Sequence, residues 1–165
     1  MDWTKLADEL RPKLNSDIEI VEPKQLTREL MEWYHQIDKK AFREELQYSD
    51  DEIAERWSKP NSKLIFVLEN KNPIAVHLGY DSEKDSDAYY IDTLATNKEG
   101  VGIGSIITNF IREYAIEEDY TKLILDTEVI NERGLALKKF YEKKGFHIVD
   151  EDKSGNITME CNLNQ

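Results

Sequence analysis

A single cysteine, Cys161, in a chain of 165 residues rules out an internal disulfide and any cysteine-built metal cluster. Cys161 sits in an alternating stretch near the end of the chain, where a buried small hydrophobe is the expected role. No apolar run approaches the roughly 18 residues that a membrane-spanning helix needs, so no membrane partner is expected. The opening Met1-Asp2-Trp3-Thr4-Lys5 is charged, and the residues after it lack the apolar centre of a signal peptide, which makes a cytoplasmic setting the expectation. Basic residues are in short supply too: 22 Lys and Arg against 34 Asp and Glu leave a net charge of −12. Nucleic-acid binding rests on Lys and Arg neutralising phosphates, so this balance speaks against such a partner and suits a cationic substrate better. Glycine numbers only 7, which makes it informative that three of them alternate at Gly100, Gly102 and Gly104.

The length corresponds to one domain over residues 1–165, large enough to bury a core. Trp3, Leu6, Ala7, Leu10 and Leu14 share one face of an N-terminal helix over about residues 1–16, ended or kinked by Pro12. Ile18 to Val21 reads as a short strand, and Leu26, Leu30, Trp33, Tyr34, Ile37, Ala41 and Phe42 mark a long amphipathic helix. Ser49 followed three residues later by Glu52 has the form of a capping box opening a short helix with Ile53 and Trp57. Leu64–Leu68 and Pro73–Tyr80 form a hairpin about Asn70-Lys71-Asn72. A polar loop, Asp81–Asp87, leads into a strand over Ala88–Thr96. Beyond the glycines come a helix, a strand over Lys122–Glu128, a helix from Glu132 stopped by Gly145, and a closing hairpin around Ser154-Gly155-Asn156. Helices alternating with strands on a mixed sheet make the fold class α/β.

The centre of this arrangement is Glu99-Gly100-Val101-Gly102-Ile103-Gly104. Ile103, Ile106, Ile107, Phe110, Ile111, Tyr114 and Ala115 recur at helical spacing behind it. Strand, glycine turn and helix together bind anions, because the first amides of a helix lack intrahelical partners and glycine keeps side chains away from them. A Walker loop would need Gly-Lys-Ser/Thr, but Ser105 and Ile106 follow Gly104. The dinucleotide fingerprint would need a glycine at Ser105 or Ile107.

The remaining pattern, Gly-x-Gly-x-Gly opening a helix, resembles the acetyl-CoA signature Arg/Gln-x-x-Gly-x-Gly/Ala of the GNAT superfamily of N-acetyltransferases, with Gly102 and Gly104 on its glycines. A second segment, Asn131 and then Phe140-Tyr141-Glu142-Lys143-Lys144-Gly145-Phe146, is similar to that family's Asn…Tyr-Glu-Lys-x-Gly-Phe, in the same order and with a strand between the two. Together they cover the chain from about Leu64 onward. Glu99 stands where the family has Arg or Gln, the loop from Thr96 to Glu99 is short, and Asn131 precedes Tyr141 by ten residues, a longer spacing than usual.

The resemblance implies a mostly antiparallel central sheet flanked by helices, with the strands matching Ala88–Thr96 and Lys122–Glu128 splayed at an acetyl-CoA cleft. It implies direct transfer of acetyl from acetyl-CoA to a primary amine, on a small polycation or a peptide or protein, with no metal. The backbones of Ala95 and Thr96 would pair with the pantetheine amides, Val101, Gly102, Ile103, Gly104 and Ser105 would offer N–H groups to the pyrophosphate, and Asn131 would reach the pantetheine arm. The N–H at Leu94 would face the thioester oxygen as it gains charge, and Tyr141 would protonate the leaving thiolate. An alkyl amine near pKa ~10.4 is almost wholly protonated at neutral pH, so a base is required. Asp92 and Glu128, at the strands that would flank the cleft, are the candidates, with His77 on the preceding strand as a further one. In that family the connection holding Arg43–Asp51 borders the amine site, and homodimers are common. A non-catalytic acetyl-CoA-binding regulatory module remains the alternative, and a structural subunit relying on the N-terminal helix is a third reading.

Overall fold

The computed structural model describes residues 1–164. Seven strands form one sheet in the order β1-β2-β3-β4-β5-β7-β6: β1 (Ile18–Val21), β2 (Lys63–Glu69), β3 (Asn72–Asp81), β4 (Ala88–Thr96), β5 (Lys122–Glu128), β6 (His147–Glu151) and β7 (Asn156–Asn162). The helices are α1 (Leu6–Leu14), α2 (Arg28–Ala41), α3 (Asp50–Trp57), α4 (Ile103–Glu117) and α5 (Glu132–Lys143). The α/β class and the mostly antiparallel sheet expected from the sequence are both present. The chain forms two compact units, Met1–Tyr80 with Thr93–Ile111, and Asp81–Asp92 with the residues from Arg112 onward.

In the first unit, β1 pairs antiparallel with β2 and β2 with β3. The β2–β3 hairpin turns on Asn70 and Lys71, at φ 50° and 72°, the left-handed pair that a two-residue turn between twisted strands demands. Side-chain alternation divides the two strands between two packing layers. Leu64 and Phe66 of β2 with Val76 and Leu78 of β3 join Leu30, Tyr34, Ile37 and Ala41 of α2 and Ile53 of α3 in one core. His77, on the opposite face of β3, meets the Trp3 ring at 6.1 Å, and Trp3 in turn meets Phe110 at 5.0 Å. Trp3, Leu6, Ala7 and Leu10 are all buried, so the N-terminal segment is an integral part of this unit, with Trp3 on the face of β3 away from the α2–α3 core. It begins as a 3-10 turn, Trp3–Lys5, and α1 ends at Leu14, two residues after Pro12, with its C-cap Asn15 in the left-handed conformation.

Local capping follows the sequence closely. Thr27 Oγ1 accepts from Leu30 N at the start of α2. Ser49 and Glu52 complete the capping box of α3, with bonds of 3.2 and 3.0 Å. Beyond α2, the buried Asp38 carboxylate accepts from Tyr48 N at 3.0 Å.

In the second unit, β4 and β5 run parallel, with the register Ala88–Lys122, Tyr89–Leu123 and Tyr90–Ile124 at the start of both strands. β5 pairs antiparallel with β7 along its whole length, and β7 with β6. Leu123, Ile124 and Leu125 are all buried, as their continuous apolar run required. Tyr89 packs against Tyr114 and Tyr120 at 5.5 and 5.4 Å, and the Tyr120 hydroxyl donates to Asp81 Oδ1 at 2.5 Å. Cys161 is buried on β7. Gly145, at φ 94°, ends α5.

Candidate active site

The glycine turn belongs to the first unit, and its approach is tied down from several sides. At the end of β4, Thr96 Oγ1 donates to Ile74 O at 3.0 Å, and Asn97 N donates to the same carbonyl at 2.9 Å. Lys98 N donates to Thr96 Oγ1 at 3.1 Å, while the Lys98 ammonium pairs with the Glu69 carboxylate. Ser16 Oγ donates to Glu69 Oε2 at 2.6 Å, and Lys98 followed by Ser16 holds the Glu69 carboxyl below its ordinary range. Gly100 and Gly102 then take φ of 78° and 83°, a region unfavourable to other residues, and an added Cβ at either would meet nothing within 4 Å. The turn is therefore both glycine-dependent and open.

Beyond it Ile103 is buried, at 1% exposure, whereas Val101 is 39% exposed. One hydrophobic anchor holds the front of α4 while the turn before it faces outward. Ile106 N donates to Gly102 O at 3.1 Å, so the amides of Ile103 and Gly104 lie ahead of this helical bond, where the helix dipole is positive. Backbone N–H groups at an uncluttered helix start bind a phosphate group without any lysine. Glu99 is exposed.

Leu94, Ala95 and Thr96 follow in β4, with Ala95 buried and its neighbours half-buried. Thr93, just before them, is held twice. Its hydroxyl shares a hydrogen with the Tyr34 hydroxyl at 2.8 Å, and its carbonyl lies 3.0 Å from His77 Nδ1. His77 is 1% exposed, and burial lowers its pKa to about 4, so the ring is neutral. A ring turned onto a strand carbonyl and sealed from solvent is not placed to take a proton from a substrate amine.

In the second unit, Asp92 is half-buried on β4 and Glu128 half-buried at the end of β5. The Glu128 carbonyl lies so close to Gly134 that a Cβ there would overlap it, so α5 starts flush against the end of β5. Asn131 is the N-cap of α5, its Oδ1 accepting from Gly134 N at 2.8 Å. Nine residues into the helix, Tyr141 is buried between Phe140 and Phe146, with ring centroids at 5.1 and 5.3 Å. Burial pushes its pKa up to about 12, which keeps the phenol protonated and able to donate. Phe146 N bonds back to Tyr141 O at 3.0 Å, and the Arg112 guanidinium donates to the Lys144 carbonyl, closing the end of the helix.

The glycine turn, Leu94, Ala95 and Thr96 thus fall in the first unit, and Asp92, Asn131 and Tyr141 in the second. The hold of Tyr34 and His77 on Thr93 was not legible in the sequence. Helical spacing puts Tyr34 on the buried face of α2, but no pattern names the strand hydroxyl it meets. Among the described residues, no group of three or more His, Cys, Asp or Glu is placed to hold a metal ion, and no helix is long and apolar enough to cross a membrane.

No curated protein matches the sequence. In fold, the chain is similar to the ribosomal-protein-S18-alanine N-acetyltransferase of Escherichia coli (TM-score 0.69, 15% identity, 90% of this chain and 96% of that one). It is similar also to Ard1 from Thermoplasma volcanium (TM-score 0.72, 17% identity, 90% and 99% covered). A third similar structure is the PaiA N-acetyltransferase from Thermoplasma acidophilum, solved in complex with coenzyme A (TM-score 0.67, 17% identity, 88% and 99% covered). At these identities the likeness is one of fold. Residues 27–146, well over half of the chain and including the glycine turn and the Tyr141 segment, match the model of the acetyltransferase (GNAT) family, and the chain belongs to that family.

Proposed function

We propose that this acetyltransferase, which takes its acetyl group from acetyl-CoA, delivers it directly to a primary amine on a small polycation or on a peptide or protein. The observation that carries the reading is the turn at Gly100 and Gly102: glycine-only backbone, open space around both residues, and helix-start amides behind them. A pyrophosphate needs that combination, and a purely structural turn does not.

The roles come from the chemistry of each group. The amides of Val101, Gly102, Ile103, Gly104 and Ser105 bind the pyrophosphate, and the backbones of Ala95 and Thr96 pair with the pantetheine amides. The Asn131 carbonyl oxygen is taken up by the cap of α5, so its amide nitrogen is the group that contacts the pantetheine arm. The Leu94 N–H stabilises the oxyanion formed when the amine attacks the thioester. Asp92 takes the proton from the ammonium form of the acceptor, and Tyr141 gives one to the departing thiolate. A phenol with its pKa raised to about 12 does not lose that proton prematurely.

A cationic acceptor is favoured by the net charge of −12, which draws cations toward the protein at low ionic strength. That the similar Escherichia coli enzyme is named for the alanine of a ribosomal protein supports an amino-group acceptor as well. We take residues 1–165 as one catalytic domain acting in the cytoplasm. The test is release of free thiol from acetyl-CoA across polyamines, aminoglycosides, amino acids and peptides with free N-termini. Turnover with at least one of these classes is expected. Thermal stabilisation by coenzyme A with no thiol release from any of them would replace the enzyme by a binding module, and the absence of both would remove the donor site itself.

A further inference from the structure

We propose that His77 is a positioning residue for the reaction, holding the Thr93 carbonyl so that the Leu94 N–H is aimed at the developing oxyanion. The proposal rests on Leu94 being the oxyanion donor of the acetyl transfer.

The Thr93 carbonyl and the Leu94 N–H belong to one peptide group, which is planar and trans, so the two point in opposite directions across it. Whatever fixes the carbonyl therefore fixes the amide. A carbonyl can only accept, so His77 Nδ1, 3.0 Å away, carries the hydrogen and donates it. The Leu94 N–H consequently points away from the His77 ring. Ladder bonds along the backbone orient strand peptides in general, and here a side chain adds its own hold on the peptide that carries the Leu94 N–H.

The ring that does this is itself held rigidly. His77 is 1% exposed, and the Trp3 indole stacks on it at 6.1 Å and 24°. Thr93 is gripped a second time, through its hydroxyl, by Tyr34 of α2. Three elements, β3, α2 and the N-terminal turn, thus converge on the residue immediately before Leu94. An aliphatic residue would fill the His77 position without the cost of burying an imidazole, so what the histidine adds is its directed hydrogen. The neutral state favoured by burial keeps Nε2 unprotonated and leaves Nδ1–H as the sole ring donor. Trp3, which precedes the stretch matched by the family model, acquires a role as the wall behind this histidine.

The experiment compares His77→Leu, His77→Asn and His77→Gln with the wild type, each confirmed as folded at the assay temperature. Kinetics with acetyl-CoA and an accepted amine are paired with the 15N–1H signal of the Leu94 amide. An asparagine amide nitrogen superimposes on Nδ1, whereas that of glutamine superimposes on Nε2. A misaimed oxyanion donor forfeits part of the ~100-fold or more that such a donor supplies. The expectation is that kcat falls about 10-fold or more in His77→Leu with the KM for acetyl-CoA unchanged, that the Leu94 signal moves, and that His77→Asn restores both. Should His77→Leu fail to fold, His77→Asn is expected to exceed His77→Gln in kcat by about 10-fold on the same grounds. A folded His77→Leu with wild-type kcat, or equal kcat for the Asn and Gln variants, would overturn the proposal alone. A wild type that binds coenzyme A yet turns over no amine would instead overturn the oxyanion reading on which it rests.

Discussion

The hydroxyls of Tyr34 and Thr93 lie 2.8 Å apart and sealed from solvent, pinning helix α2 to strand β4 one residue before Leu94. Removing one partner of a buried hydrogen bond strands the other, at a cost of about 1–3 kcal/mol. Tyr34→Phe and Thr93→Val are each expected to lower the unfolding free energy by about that amount. The double variant should lose at least ~0.5 kcal/mol less than the sum, because the two changes remove one and the same hydrogen bond. Urea unfolding of the four proteins measures the coupling. Additive losses would show that the two hydroxyls do not depend on each other.

Gly102 separates binding from folding. Alanine there meets no neighbouring atom but must adopt φ near 83°, a strain of about 1 kcal/mol. Gly102→Ala should therefore fold with a slightly reduced melting temperature. If the proposed pyrophosphate site is right, its added methyl group obstructs the approach of a phosphate to the backbone, and coenzyme A affinity by calorimetry is expected to fall at least ~10-fold. Unchanged affinity would place the pyrophosphate elsewhere.

Gly134 behaves in the opposite way. Within a helix, alanine ordinarily gains up to ~1 kcal/mol over glycine, yet at this position its Cβ would overlap the Glu128 carbonyl. The helix must shift off the end of β5, and overpacking of this kind costs about 1–3 kcal/mol. Gly134→Ala is expected to be destabilised in thermal melts. A gain in stability would mean that α5 does not seat against β5 as described.

Tyr141→Phe keeps the ring packing against Phe140 and Phe146 and deletes only the hydroxyl. Loss of a general acid costs about 100-fold or more in turnover, with coenzyme A affinity and melting temperature close to wild type. The measurement is kcat against the dissociation constant of coenzyme A. A variant with full activity would leave thiolate protonation to another group.

His77 predicts how stability depends on pH. In the unfolded chain the imidazole takes up its proton near pH 6.5, but in the folded protein only near pH 4, because burial disfavours the charged ring. Between these values the unfolded state binds more protons, so the folded state loses stability as the pH falls from about 6.5 to 4. The contribution is intact above this window, and the loss totals ~3 kcal/mol below it. The difference in unfolding free energy between wild type and His77→Asn should shrink by that amount between pH 7 and pH 4. A difference independent of pH would show that the ring titrates alike in both states.

Much of the architecture was legible because it is written in local chemistry. The strands Ile18–Val21, Ala88–Thr96 and Lys122–Glu128 fall where their apolar patterns put them, the Ser49–Glu52 capping box forms, and Gly145 ends α5 at positive φ. Each depends on contacts within a few residues, so period and cap suffice to find it. The glycine turn was legible for the same reason, since positive φ at Gly100 and Gly102 is a property of the residue type. The partners at long range were not. His77 was a candidate base in sequence and is a buried donor in structure, and nothing near it in the chain announces Trp3, 74 residues earlier, or Thr93, 16 residues later.

By itself, then, the sequence determined the order of strands and helices, the positive-φ glycine turn and the family motifs, because backbone propensity and short spacing act before the chain has collapsed. Only tertiary structure decided the protonation and orientation of individual groups: the neutral ring of His77, the phenol of Tyr141 with its raised pKa, and the grip on the Thr93 peptide. These depend on how far water is excluded and on which atoms arrive from distant segments, and a linear pattern carries neither quantity.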